Sequence, residues 1–222
     1  WGTLGGPRYQ PVEGLTGAIE GTITWRGPAR AVVGPCGPAA APRGAGAALV
    51  YLDRVERGRV LTALDAGPAI GGVLIKRGCA LTPPIQLVTP APSELEVVGD
   101  ARAARLRVSH LDEPGAPDTL ELGEAARAVV AATPGLTRVE ADDGSLTAAW
   151  ILATDAAYYA LTDERGRFRL DELAAGTYEL IVVAPPPPIV RAGKLTYGPP
   201  LTARRTVRVD AAHPARVELA LE

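Results

Sequence analysis

One alternating stretch with two tight turns constrains this chain more than anything else in it. Residues 161–170 run from Leu161 through Asp163, Gly166 and Phe168 to Leu170, and the chain continues from Leu173 through Gly176 and Tyr178 to Leu180. Asp163 offers a side-chain acceptor to backbone N–H groups just ahead of it. Gly166 is free to take a positive φ, so the segment predicts a tight turn between antiparallel strands, with Thr162 and Phe168 on neighbouring strands. Phe168, Leu170, Tyr178 and Leu180 alternate toward one face. Such a stretch predicts a β-sandwich, and nothing in it points to catalysis.

Composition supports that class. In 222 residues, 47% hydrophobic, 25 glycines and 21 prolines break the valines and leucines into short bursts, as strands and turns require. The net charge of -2 is spread along the chain, so no basic stripe follows a phosphate backbone and nucleic acid is not an expected partner. The most apolar run, Leu180 to Val190, contains four consecutive prolines and does not read as a membrane span. Methionine is absent even at position 1, which reads either as a processed chain whose export signal has been removed or as a trimmed one.

Along the chain, 1–13 reads as an arm in which Trp1, Leu4 and Tyr9 either pack on a neighbour or fold back. Residues 14–112 read as a first β-sandwich half, with strands over 18–25, 47–52, 59–64, 73–76, 83–88, 95–98 and 106–110. In the first of these, Gly21 allows close approach of another backbone or a bulge. Residues 113–145 read as an insertion or linker, with one or two helical turns over 122–130 stopped by Thr133-Pro134-Gly135. Residues 146–222 form the second half, with further strands over 147–152, 178–183, 204–209 and 216–221. The opening strands and the late turn stretch belong either to one sheet, which makes 54–145 an elaboration, or to two packed domains.

Few side chains are candidates for chemistry. Cys36 and Cys79, the two cysteines, are either a disulfide of an oxidising compartment or two idle thiols; two cysteines alone do not close a zinc site. His110 reads as a strand-end histidine, hydrogen-bonded to Asp112 or exposed, with metal binding through His110 and Asp112 as the sharper alternative. His213 reads as a turn residue. Asp112, Glu113 and Asp118, or Asp142-Asp143-Gly144, lack the regular spacing of a calcium loop. Pro185, Pro186, Pro187 and Pro188 predict a rigid polyproline segment, which serves as a spacer or as a partner surface together with Tyr197. Trp25 and Trp150 read as core residues.

Thr162-Asp163, Gly166, Phe168 and Leu170 followed by Gly176, Tyr178 and Leu180 resemble the hallmark of carboxypeptidase regulatory-like domains, which are non-catalytic transthyretin-like sandwiches. Gly17, Ile19, Gly21 and Ile23 with Leu49-Val50-Tyr51-Leu52 fit the opening strands of that family. The chain also resembles bacterial exported proteins of the methylamine-utilisation type, in which such a sandwich merges with a cupredoxin-like one. Cys36-Gly37, Cys79 to Pro83, Ser109 to Asp112 and Tyr158-Tyr159 carry that second likeness. Together they imply an all-β, Greek-key β-sandwich, cupredoxin-like or transthyretin-like, with long Pro/Gly-rich loops. Copper-bearing members are expected to place a Cys/His/Met ligand loop where this chain has Asp142 to Trp150. A blue-copper centre needs two imidazoles, a thiolate and a weak axial ligand, and this chain offers two histidines in all and no methionine. The expected function is therefore a non-enzymatic, exported structural or accessory subunit of an envelope-associated, redox-linked protein assembly. It carries no cofactor and is periplasmic or extracellular. The alternatives are a copper-binding electron-transfer protein and a carbohydrate-binding module.

Overall fold

A computed structural model describes residues 5–27, 32–34, 37–39, 47–62, 67–68, 73–100, 104–113, 115–123 and 127–222. Trp1, Leu4 and Cys36 lie outside them. The described residues are all-β, built from four main sheets and two short ribbons, with no helix among them. Sheet I runs, edge to edge, Gln10–Pro11, Arg57–Gly58, Arg167–Leu173, Gly17–Trp25, Ala215–Leu221; sheet II runs Tyr159–Leu161, Leu49–Asp53, Gly176–Ala184, Leu201–Val209. Sheet III runs Asp118–Leu122, Ala104–His110, Gly135–Ala141, Ala149–Ala153, Ile85–Thr89, Gly67–Pro68. Sheet IV runs Arg127–Ala132, Ser93–Gly99, Val73–Arg77, Ala80–Thr82.

The turn-rich stretch forms arches rather than hairpins. Tyr159–Leu161 lies in sheet II, Arg167–Leu173 in sheet I and Gly176–Ala184 in sheet II again, so each turn carries the chain across the core to the opposite sheet. Phe168 and Leu170 therefore meet Leu180 from across that core rather than from a paired strand. Sequence alternation says which residues face inward, but the same parity serves two strands of one sheet or two strands facing each other. The turn chemistry is as expected. Asp163 accepts hydrogen bonds from the N–H groups of Arg165 (2.9 Å) and Arg167 (2.8 Å). The Arg167 N–H and then its guanidinium hold the Asp163 carboxyl below its ordinary pKa. Gly166 sits at φ +77 with its open side against the Ile23 carbonyl.

Two apolar cores divide the chain. The first lies between sheets I and II and gathers Ile19, Ile23, Val50, Leu52, Phe168, Leu170, Leu180, Val182, Val207, Val217 and Leu221. The second lies between sheets III and IV and gathers Leu74, Leu95, Val97, Leu106, Leu122, Val130, Val139, Ala149 and Ile151. A boundary at residue 112 cuts this second core, since Leu106 and Leu122 both contribute to it. The opening strand Gly17–Trp25 instead pairs antiparallel with Arg167–Leu173 and parallel with Ala215–Leu221. The second sandwich is thus an elaboration inserted into the first. Gly21 makes the expected close approach, because a Cβ there would strike the Val217 carbonyl oxygen.

The described residues of the segment expected to be partly helical are sheet, apart from Gly123. Asp118–Leu122, Arg127–Ala132 and Gly135–Ala141 are strands, and the last two pair in register with Ser93–Gly99 and Ala149–Ala153. Residues 124–126 lie outside the described ones. Helix tolerance in Glu124-Ala125-Ala126-Arg127 is a weak local preference, and burial of Leu122, Val130 and Ala132 in a sheet core overrides it. Of the strand expected over 59–64, the described residues 59–62 are not strand; a short strand precedes them at Arg57–Gly58. The described part of the arm folds back: Gln10–Pro11 pairs with Arg57–Gly58, and the Tyr9 hydroxyl donates to the Arg59 carbonyl at 2.7 Å.

A Gly21→Ala substitution is expected to lower stability by about 1–3 kcal/mol, the cost of forcing atoms into a close-packed contact. Gly123→Ala, where an added Cβ meets nothing within 4 Å, should leave it unchanged. Urea unfolding of the two variants checks the difference.

Candidate functional site

The sandwiches touch through a third apolar layer. Leu49, Ile181 and Val183 on the outer face of sheet II meet Ile85, Leu87, Leu136, Trp150 and Leu152 on the outer face of sheet III. Each fully buried aliphatic residue there contributes roughly 1.5–3 kcal/mol. Trp150 is 1% exposed, which removes it as a sugar platform. Its ring lies 5.7 Å from the Arg138 guanidinium and meets Tyr197 edge-on at 6.2 Å. Glu140, almost fully buried, accepts from Arg107 (2.7 Å) and Arg138 (3.2 Å). Two guanidiniums offset the desolvation of that one carboxylate.

The turn after Gly135–Ala141 is gripped from both sides. Gly144 donates to the Ala141 carbonyl at 3.0 Å, and Asp143 accepts from the Ser145 N–H at 2.9 Å. Hydrogen bonds from Ser145, its side chain first and then its backbone, lower the Asp143 pKa. On one side Thr147 donates to the Cys79 carbonyl (2.9 Å) and accepts from Leu81 (3.1 Å). On the other, Leu195 donates to the Gly144 carbonyl (3.0 Å) and the Tyr197 hydroxyl accepts from Ala148 (2.8 Å). The ribbon Ile189–Arg191/Lys194–Thr196, an excursion of the first sandwich, is thereby fastened to the end of the second.

At this end of the second sandwich a cleft of about 370 Å³ is lined by Lys76, Cys79, Arg105, Asp142, Asp143 and Ser145, among others. Lys76 shares the inward parity of Leu74 on Val73–Arg77, so its side chain, 5% exposed, runs between the sheets rather than into solvent. Its ammonium is paired with Asp100, whose second oxygen accepts from the Gly78 N–H at 3.3 Å. Arg105 is held at the mouth by Glu121 at 3.2 Å. Lys76 and Asp100 were not among the sequence candidates. The available signal was a lysine at the same parity as Leu74, following the aliphatic run Val73-Leu74-Ile75.

The expected site residues do not converge here. His110 ends Ala104–His110, five residues and about 17 Å of strand from Arg105 at the cleft. Its Nδ1 lies 3.0 Å from the Thr137 hydroxyl and 3.2 Å from that of Thr133, while Asp112 instead accepts from the Leu136 N–H at 2.6 Å. Histidine and aspartate thus serve separate partners. Among the described residues no three His, Cys, Asp or Glu side chains form a metal-binding group. Copper does not fit the cleft, where an ammonium and a guanidinium stand in place of imidazoles. No described cysteine is a free thiol. His213 lies in the turn after Leu201–Val209, where its N–H donates to Asp210 at 2.8 Å. Pro186 is buried and Pro187 exposed. Among the described residues no helix is long and apolar enough to cross a membrane. No family model, curated protein or solved structure matches this chain.

Burial raises the pKa of the Tyr197 phenol above its ordinary value near 10, and does the same for Tyr51, Tyr158 and Tyr178. A phenol that holds its proton more tightly when folded contributes stability fully present below the unfolded pKa. That stability is lost as pH rises through the folded pKa. Melting temperature should therefore fall from about pH 10 upward. Tyr197→Phe should be less stable at neutral pH, because the Ala148 N–H loses its acceptor, yet show a shallower alkaline decline; thermal melts across that range check both effects.

Proposed function

We propose that this chain is a non-enzymatic, exported subunit that plays a structural or accessory part in an envelope-associated protein assembly. The observation that carries the reading is the ribbon Ile189–Arg191/Lys194–Thr196. Successive residues of a strand point to opposite faces, and Ile189 and Val190 are 44% and 41% exposed. Aliphatic side chains therefore stand in water on both faces of a two-stranded element. A bare ribbon of that kind is marginal by itself, and this one is fixed at its base by Leu195 and Tyr197. A pre-ordered apolar ribbon suits a protein partner, because the entropy of ordering it is already lost before binding.

The same reading takes the first sandwich as transthyretin-like and the inserted one as cupredoxin-like without a copper centre. It places the protein in the periplasm or outside the cell, and takes Cys36 and Cys79 as a disulfide. That pairing is supported by the lack of a free thiol among the described cysteines and by the chain's total of two. Reduction of the intact protein should then add the mass of two hydrogens.

Native mass spectrometry of gently extracted protein, with metal analysis of the same sample, tests the proposal. A defined multiprotein assembly without stoichiometric copper is the expected result. Ile189→Arg with Val190→Arg should dissolve it while changing stability by no more than about 0.5 kcal/mol, as exposed sites do. A free chain carrying one copper would overturn the reading.

A further inference from the structure

We propose that the cleft at the end of the second sandwich binds a small zwitterion of the amino-acid class, its carboxylate directed inward to Lys76 and its ammonium outward to Asp142. This goes beyond the assembly reading and does not depend on it.

The first ground is the lysine. A buried ammonium is costly unless paired, and a long flexible side chain ordinarily carries its charge to water. Lys76 does the opposite, entering the gap between sheets III and IV with 5% of its side chain exposed. An ammonium has three N–H donors, and Asp100 is its one hydrogen-bond partner among the described residues. Asp100 is itself fixed by the Gly78 N–H at 3.3 Å, so the ammonium is oriented before any ligand arrives. Two donors remain for an acceptor in the cleft that Lys76 lines.

The second ground is the distribution of charge. Lys76 and Arg105 stand against Asp142 and Asp143 in the lining, and Asp100 and Glu121 pair with the two cations from outside it. The signs are separated, however. The buried ammonium is at the inner end, while Asp142 and Asp143 are exposed on the turn at the mouth. Asp143 is occupied by Ser145, which leaves Asp142 as the carboxylate for an incoming cation. A molecule with a carboxylate at one end and an ammonium at the other matches both ends; a plain carboxylate or a plain amine matches one and meets the opposite charge at the other. The volume, about 370 Å³, falls at the small end of the range for ligand pockets, roughly 300–1,000 Å³. It suits an amino acid rather than a nucleotide.

Isothermal titration of the full chain with glycine, L-alanine and 4-aminobutanoate, against acetate and methylamine at equal ionic strength, tests the assignment. At least one zwitterion should bind about tenfold or more tighter than either single-charge probe. Asp142→Asn, at an exposed position, should weaken that binding about tenfold with an unchanged melting temperature. Lys76→Met should abolish it, and circular dichroism establishes whether that variant is folded. Absence of heat for all three zwitterions up to about 10 mM, a concentration at which even weak millimolar sites show, would overturn the proposal. So would equal binding of acetate or methylamine, or an Asp142→Asn variant that binds as well as the parent.

Discussion

The structure depends on the contact between the outer faces of sheets II and III. A sheet normally buries one face and wets the other. Here Gly176–Ala184, Ile85–Thr89 and Ala149–Ala153 bury both over much of their length. Remove that contact and Leu49, Ile181, Val183, Ile85, Leu87 and Trp150 would all face water. Interfaces between domains are commonly polar and mobile; one this apolar argues for a single body. The ionic cluster of Glu140, Arg107 and Arg138 sits on the same face and ties neighbouring strands of sheet III to each other.

The chain reaches this arrangement through crossings rather than hairpins. Because Tyr159–Leu161, Arg167–Leu173 and Gly176–Ala184 alternate between sheets I and II, the turn stretch ties the layers of the first sandwich together. Gly21 and Gly166 let strand backbones approach where a side chain would hold them apart. Tyr158 reinforces the same region: its hydroxyl accepts from the Arg59 N–H at 2.6 Å and donates to the Glu172 carbonyl at 2.6 Å. The hydroxyl thus joins segments far apart in sequence, and the apolar ring fills the core between them.

Much of the strand content was legible because alternation and glycine are local signals. Gly17–Trp25, Ala104–His110 and Ala215–Leu221 each carry an inward and an outward parity that a sequence displays directly. Partner strands were not legible, since parity does not distinguish neighbours in one sheet from strands facing each other. The segment around 122–130 misled because alanine and glutamate favour helix locally, whereas the burial that decides the matter comes from strands distant in sequence. Loss of alternation is a further local signal, one that the strand assignments above did not use. Leu180-Ile181-Val182-Val183-Ala184 and Trp150-Ile151-Leu152 are unbroken apolar runs, the pattern of strands covered on both sides. The cleft was harder to foresee. Lys76 stands at an inward position and Asp100 pairs with it from a separate segment, so only the fold brings the two together.

The ribbon links the two sandwiches at the end where the cleft lies, through Leu195 on Gly144 and Tyr197 on Ala148, a second tie beside the apolar layer on which the single body depends. Differential scanning calorimetry of the full chain tests that dependence most directly. If the shared layer makes one body of the two sandwiches, heating gives a single transition whose calorimetric and van't Hoff enthalpies agree. Two resolved transitions, or a calorimetric enthalpy well above the van't Hoff value, would show the sandwiches melting independently and would contradict the account.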